Sequence, residues 1–376
     1  MVRFLLLLTL LSGANEAARA AAPALMPMPA KAEPAAGKLA LDASFSVAAT
    51  GYTDARLESA MSRFLARVSR QTGIPMLAAR PADASRATLR VECAARGAES
   101  PTLGEDESYE LDVAPDGGRL KAATVAGALH GLETFAQLIS PGAEGFQAPA
   151  IHIQDRPRFP WRGLMLDVAR HWMPVEVVER NLDAMAAVKL NVLHWHLSED
   201  QGFRVESKRF PRLQEFGSDG NFYTRAEIRQ VVAYARDRGI RVVPEFDIPG
   251  HTTSWFAGYP ELASAPGPYS IGRTWGVFEP VMDPSREETY QFLDAFLGEM
   301  AALFPDPYFH IGGDEVNARQ WNQSATIQAF AKKHALKDAN AIQAYFNQRI
   351  LKLLGKHGKT MVGWDEILPP IFPPIR

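Results

Sequence analysis

The 376-residue chain is 47% hydrophobic and 22% charged, which gives it ample apolar material for large cores and excludes disordered, collagen-like and low-complexity classes. Forty Lys and Arg stand against 43 Asp and Glu, a net charge of −3, so the composition offers no basic footprint for nucleic acid and no cationic face for an anionic membrane. The single cysteine, Cys93, excludes an intramolecular disulfide framework and a cysteine-rich zinc site, and at roughly 150 residues per domain the length predicts two or three domains.

In chain order, Arg3 is followed by an apolar run from Phe4 to Leu11 and then by small residues including Ala18, Arg19 and Ala20. This predicts a signal peptide over 1–20 with an Ala-x-Ala cleavage site, and hence a periplasmic or secreted bacterial protein. The run is far short of the roughly 20 residues that span a membrane. An Ala/Pro/Met linker over Ala21–Pro34 leads into alternating segments such as Leu39–Val47. A helix over Asp54–Gln71 follows, then strands around Ala87–Val91 and Ser108–Val113. A helix over Thr124–Ile139, with Val125, Leu129, Leu132, Phe135 and Leu138 at helical spacing, completes a small α+β N-terminal domain over 21–155. That domain carries no catalytic constellation, and His130 on its last helix reads as a structural residue.

Beyond it, over 156–376, strand-like runs and amphipathic helices alternate. Gly163–Arg170, Asn191–Leu197, Ile240–Ile248, Tyr308–Asp314 and Lys359–Trp364 read as strands. Between them lie a helix opened by Pro174, one with a Thr224/Glu227 capping box ended by Gly239, one with a Ser285/Glu288 capping box, and one over Ala341–His357. Five strands separated by helices predict an α/β architecture with a parallel sheet, either doubly wound or a (β/α)8 TIM barrel. Polar groups end every strand: Asp167 and Arg170; His194 and His196; Glu245 and Asp247; Asp314 and Glu315; Trp364, Asp365 and Glu366. The C-terminal ends of barrel strands converge on one mouth, so this favours the barrel, and no Gly-rich phosphate loop follows any strand.

Asp314 and Glu315 follow His310-Ile311-Gly312-Gly313 where a strand gives way to a loop, and paired carboxylates at a barrel mouth suggest glycoside hydrolysis. Neighbours in sequence sit more naturally on one side of a substrate than across its scissile bond. One can then serve as acid while the other orients a substrate group, the substrate supplying its own nucleophile. His194 and His196, two apart on a strand, point to one face and raise a competing expectation of a metal-dependent hydrolase, with Asp247, His251 and His310 available to complete a zinc site. Asp200 and His251 lie on loops of the same mouth, where an Asp-His pair can tune a nearby acid. Arg170 either binds sugar hydroxyls or pairs with Asp167, and Trp364 offers a flat apolar face for a sugar or acetyl group.

Together, Arg162–Arg170, Asn191–Arg204, Pro244–His251, His310–Val316 and Val362–Glu366 resemble, in order, glycoside hydrolase family 20, the β-N-acetylhexosaminidases, and Leu25–Gln154 looks like the family's non-catalytic N-terminal domain. The resemblance implies an exo-acting enzyme without metal or cofactor. Its substrates would be terminal β-linked N-acetylglucosamine or N-acetylgalactosamine in glycans or chitooligosaccharides, cleaved by substrate-assisted retaining catalysis through an oxazolinium ion. It makes Glu315 the general acid and base, Asp314 the residue that orients the acetamido group, Asp200 and His251 supports of the acid, Arg170 a binder of ring hydroxyls, and Trp364 part of the acetamido wall. The chain departs from the family in stopping at Arg376, just past the fifth of eight barrel strands. Five parallel strands cannot close a barrel of shear eight, so the expectation is a truncated barrel, about three βα units short, and an inactive fragment is the rival to an active enzyme.

Overall fold

The computed structural model describes residues 23–76 and 83–368. The expected signal peptide and the proline-rich segment 369–376 lie outside the described residues. The first half runs β1 (Lys31–Leu41), β2 (Val47–Gly51), α1 (Ala55–Thr72), β3 (Leu89–Ala95), β4 (Tyr109–Ala114), β5 (Gly117–Thr124), α2 (Val125–Leu138), β6 (Ser140–Gly142) and β7 (Gly145–Asp155). The sheet order is β1-β7-β4-β5-β3-β2, with β2, β3 and β5 parallel, the other pairs antiparallel, and β6 joined to β7. Alternation in β4 buries Tyr109, Leu111 and Val113 and leaves Glu110 and Asp112 on the opposite face, so one face is packed. Leu57, Phe64 and Val68 of α1 and Leu132 and Phe135 of α2 cover it. Asp54 caps α1 by accepting from the Leu57 N–H at 2.9 Å.

Two sequence expectations shift here. Strand β1 begins inside the expected linker, and Leu39–Val47 is broken by a turn in which Asp42 Oδ1 accepts from the Ser44 N–H at 2.7 Å.

The second half runs β8 (Gly163–Asp167), α3 (Val175–Ala187), β9 (Val192–Glu199), β10 (Gly202–Phe203), α4 (Arg212–Gly217), α5 (Arg225–Arg236), β11 (Arg241–Phe246), α6 (Thr253–Gly258), α7 (Glu287–Leu303), β12 (Tyr308–His310), α8 (Arg319–Gln323), α9 (Ala325–Lys333), α10 (Ala339–Lys356) and β13 (Thr360–Val362). Strands β8-β9-β11-β12-β13 lie side by side in chain order and all parallel, while β10 folds back antiparallel on the end of β9. Sequential order without reversal is that of a barrel wall, since a doubly wound sheet changes direction at a switch point. Strands β9 and β11 are buried along nearly their whole length, as strands covered on both faces must be.

The Thr224/Glu227 capping box forms at α5. The one expected at Ser285 does not: the Ser285 hydroxyl donates to Asp283 Oδ1 at 2.6 Å, and α7 starts after Arg286 without a side-chain cap. No described helix is long and apolar enough to cross a membrane.

The halves meet through buried polar contacts. Lys189 Nζ donates to Asp155 Oδ2 and Tyr109 Oη, both at 2.8 Å; Arg162 pairs with Glu107, and Asn191 Nδ2 donates to Glu107 Oε1 at 3.1 Å. His130 packs into this junction with Nδ1 3.4 Å from Glu107.

Candidate active site

Pairing register alone assembles a polar layer, because Asp167, His196, Glu245 and His310 lie directly opposite one another across β8, β9, β11 and β12. Opposed residues share a face, here the one toward the barrel interior. Glu245 is the centre. Its Oε2 lies 2.5 Å from His194 Nε2 and 2.8 Å from His196 Nδ1; its Oε1 lies 3.1 Å from His310 Nδ1 and accepts from Trp364 Nε1 at 3.2 Å. His310 Nδ1 is also 3.0 Å from the Gly312 N–H, and the ring nitrogen can serve only one of the two at a time. Burial works against both charges, yet His196 and its neighbours hold the Glu245 carboxyl well below the ordinary range. Glu245 and Glu199 in turn hold the His196 imidazole well above its own.

This geometry corrects the metal expectation for His194 and His196. His194, Glu245 and His310 do converge, with donor atoms within 4.8 Å of one another. Ligands sharing a tetrahedral zinc at about 2.0–2.1 Å lie roughly 3.4 Å apart. The 2.5 Å contact of His194 with Glu245 is a hydrogen bond and the 2.8 Å contact of His196 an ion-pair distance, both shorter than two ligands of one zinc would be, so the histidines and the carboxylate pair with one another.

The chain leaves β12 through Gly312 (φ 63°) and Gly313 (φ 88°), and Glu315 itself has φ 51°. A Cβ on Gly312 would lie 2.0 Å from Asp247 Oδ1, so only glycine lets the backbone close on that carboxyl, which accepts the Gly313 N–H at 2.9 Å. Burial, with the charges of Asp314 and Glu245, raises the Asp247 carboxyl well above the usual carboxylate range. The turn delivers Asp314 and Glu315 to the mouth, with side chains 24% and 50% exposed. Both face one imidazole: His251 Nε2 is 3.5 Å from Glu315 Oε2 and 3.9 Å from Asp314 Oδ2. Asp314 Oδ1 and His251 Nε2 are buried and have no hydrogen-bond partner among the described residues.

His251 is held from behind by a group other than the expected one. Its Nδ1 bonds Glu199 Oε1 at 2.6 Å, whereas Asp200 Oδ2 is 3.6 Å away. Asp200 Oδ1 instead accepts from the Thr253 N–H at 2.9 Å and the Thr253 hydroxyl at 2.5 Å, anchoring the start of α6 just past His251. Burial alone would lower the His251 pKa, but Asp200, Glu199 and Asp247 push it up to about 11. Burial would raise Glu199, but His196 and His251 bring it down to about 2. Arg170 realises one of its two expected roles. It donates to Asp167 Oδ2 at 2.8 Å and lies 3.2 Å from Glu199 Oε2, while staying 23% exposed toward the mouth.

Sequence reasoning assigned no role to Glu199 or Glu245, and overlooked Trp275. The Trp275 ring is 79% exposed and lies 6.0 Å from the Arg170 guanidinium. Its loop is tied down by the Gly272 N–H on Asp200 O and by Gln201 Nε2 on Thr274 O, both at 2.8 Å.

The family model described as "Glycosyl hydrolase family 20, catalytic domain" matches residues 159–371, and "Glycosyl hydrolase family 20, domain 2" matches residues 22–156. The chain is 43% identical over 273 residues to beta-hexosaminidase subunit alpha of Rattus norvegicus, covering 72% of this chain and 51% of the relative. It is 39% identical over 280 residues to a beta-hexosaminidase of Porphyromonas gingivalis, covering 70% and 36%. Among solved structures, Flavobacterium johnsoniae chitobiase superposes with a TM-score of 0.88 at 45% identity, covering 92% of this chain and 53% of that one. An exo beta-N-acetylglucosaminidase of Vibrio harveyi in complex with N-acetylglucosamine superposes with a TM-score of 0.77 at 34% identity, covering 91% and 55%. The chain thus spans about half, or less, of the length of these relatives, and it belongs to glycosyl hydrolase family 20.

Proposed function

We propose that the protein is an exo-acting β-N-acetylhexosaminidase that releases terminal β-linked N-acetylglucosamine or N-acetylgalactosamine from glycans or chitooligosaccharides by substrate-assisted retaining catalysis. The observation that carries this reading is the adjacency of Asp314 and Glu315 on one wall of the mouth, both facing His251. Glu315 gives its proton to the glycosidic oxygen as the C1–O bond breaks. The acetamido carbonyl oxygen attacks C1, forming an oxazolinium ion, and the Asp314 carboxylate accepts the acetamido N–H and offsets its positive charge. The Glu315 carboxylate then takes a proton from the water that attacks C1, which reopens the ring with retention. A tethered nucleophile replaces a bimolecular attack, which supplies much of the acceleration.

His251, charged through neutral pH, stabilises the Glu315 carboxylate once its proton has left, and Glu199 holds the imidazole in place. Arg170 and Trp364 bind ring hydroxyls and wall the acetamido group, while the unit over 21–155 is non-catalytic. The apolar run Phe4–Leu11 before Ala18–Ala20 supports export to the periplasm or medium.

The test is hydrolysis of an aryl N-acetyl-β-glucosaminide by the full-length protein. Glu315→Gln is expected to lower kcat by about 10²–10⁴-fold, and NMR should detect the β-anomer as first product. Normal turnover by Glu315→Gln, or an α-anomer appearing first, would overturn the assignment.

A further inference from the structure

Apart from the mouth and sharing none of its residues, α1 presents Arg63, Arg67 and Arg70 at i, i+4 and i+7, a spacing that places all three on one helical face. That face lines a cleft of about 310 Å³ between the two halves, closed from the other half by Arg238 and Asp183 and from α2 by Glu133. The two carboxylates are already engaged. Glu133 pairs with Arg67, and Asp183 takes Arg238 Nε at 2.7 Å and the Tyr234 hydroxyl at 3.0 Å. Arg63 and Arg70 have no carboxylate within 4.0 Å among the described residues. Among the described residues the half-buried Arg63 guanidinium makes one hydrogen bond, to the Asp237 backbone carbonyl at 2.7 Å.

Four guanidinium groups therefore face a cleft that supplies two counter-charges. Burial, aided by the neighbouring charge of Arg238, lowers the Arg63 pKa. At the same junction burial, with Lys189 and Arg162, brings the His130 imidazole down to about 3 and keeps it neutral. The rest of the wall is alanine, leucine and the buried His130, with no Phe, Tyr or Trp among the described lining residues to stack on a sugar or base. Guanidinium forks match the oxygens of tetrahedral oxyanions bidentately, and they do so best where water is partly excluded.

We propose that this cleft is a binding site for a compact multivalent oxyanion, a phosphate or a phosphate monoester, held by arginines from both halves so that occupancy ties them together. The site does not depend on the catalytic reading, and its test needs no turnover. The full chain is melted, and titrated calorimetrically, with sodium phosphate and with sodium chloride at matched ionic strength. Phosphate is expected to raise the midpoint saturably, because a ligand bound only by the folded state stabilises it by mass action. Arg63→Gln should abolish the rise. The exposed Arg70→Gln, which leaves packing untouched, should weaken apparent affinity roughly tenfold, the worth of about one charge-assisted hydrogen bond. Arg90→Gln, on the open sheet face, should change nothing. Glycerol phosphate binding as tightly as inorganic phosphate would identify a phosphate group carried on a larger ligand, and weaker binding a free ion. An equal rise in chloride, or a saturable rise of wild-type affinity in Arg70→Gln, would overturn the site.

Discussion

Each half of the molecule carries a row of polar, mostly ionisable side chains laid across a sheet by pairing register. On the open face of the first sheet, Lys31, Gln154, Glu110, Lys121, Glu92 and Thr50 lie opposite one another in turn. In the second, Asp167, His196, Glu245 and His310 do the same inside the barrel wall. Geometry is shared and solvent is not. On the open face, Arg119 donates to Glu92 at 2.6 and 2.7 Å, and each group keeps water as an alternative partner. Within the wall, Glu245 and Glu199 are wholly buried against charged and polar side chains, so each charge exists because its neighbours do. A wet row is a set of separable pairs worth little each, and a dry row is one coupled unit.

The sharpest way to break that contrast is to neutralise one carboxylate in each row. Glu245→Gln removes the negative charge that faces three imidazoles, and should cost about 3–5 kcal/mol in urea unfolding, the range for breaking a buried ion pair from one side. Glu92→Gln should leave the urea midpoint where it is. If Glu245→Gln unfolded at the wild-type midpoint, the buried layer would be no more coupled than the surface one.

A second test uses pH. Glu199 is at about 2 in the folded protein against 4.5 ordinarily, so its contribution is complete above about pH 4.5 and is lost as pH falls toward 2. His251 is at about 11 against 6.5, so its contribution is complete below about pH 6.5 and is lost as pH rises through 11. The two overlap in full only between about pH 4.5 and 6.5. The stability difference between wild type and His251→Asn should therefore shrink steadily from pH 6.5 to 10. A difference constant over that range would show that His251 is not charged by its carboxylates.

The contrast also explains which parts were legible in the sequence. Helix α1, with Asp54 as cap and apolar residues on one stripe, could be read because its signals are local. So could the five parallel strands and the Asp314-Glu315 turn, whose paired glycines advertise a backbone that must pass close to something. What could not be read is parity. Strict alternation from His194 and His196 leads to Ser198 and Asp200, but β9 carries an irregularity: Glu245 pairs with His196 and Phe246 with Ser198, leaving Leu197 as an extra residue. The slip rotates Glu199 onto the His196 face and sends Asp200 to Thr253, and no composition or spacing rule marks a bulge. The failed cap at Ser285 has the same character, since Asp283, two residues back, outcompetes the helix for its hydroxyl.

The smallest expected effect contrasts the two tryptophans of the site. Trp364 belongs to the dry layer: its N–H is spent on Glu245, and its ring stands 4.9 Å from His310 and 5.6 Å from His194. Trp275 is tied to that layer only through its loop and its approach to Arg170, and its ring faces solvent. A mostly exposed indole on an anchored loop gains little from folding, but it can cover the apolar face of a sugar ring that crosses the rim. Trp275→Ala should therefore leave the urea midpoint and kcat unchanged and raise KM for a chitooligosaccharide roughly three- to tenfold, the signature of lost uniform binding, with Trp275→Phe restoring most of it. Trp364→Phe should do the reverse, lowering kcat and stability together, because it leaves Glu245 one donor short. A fall in kcat for Trp275→Ala, with KM unchanged, would place that ring among the groups that act on the transition state and erase the distinction between rim and layer.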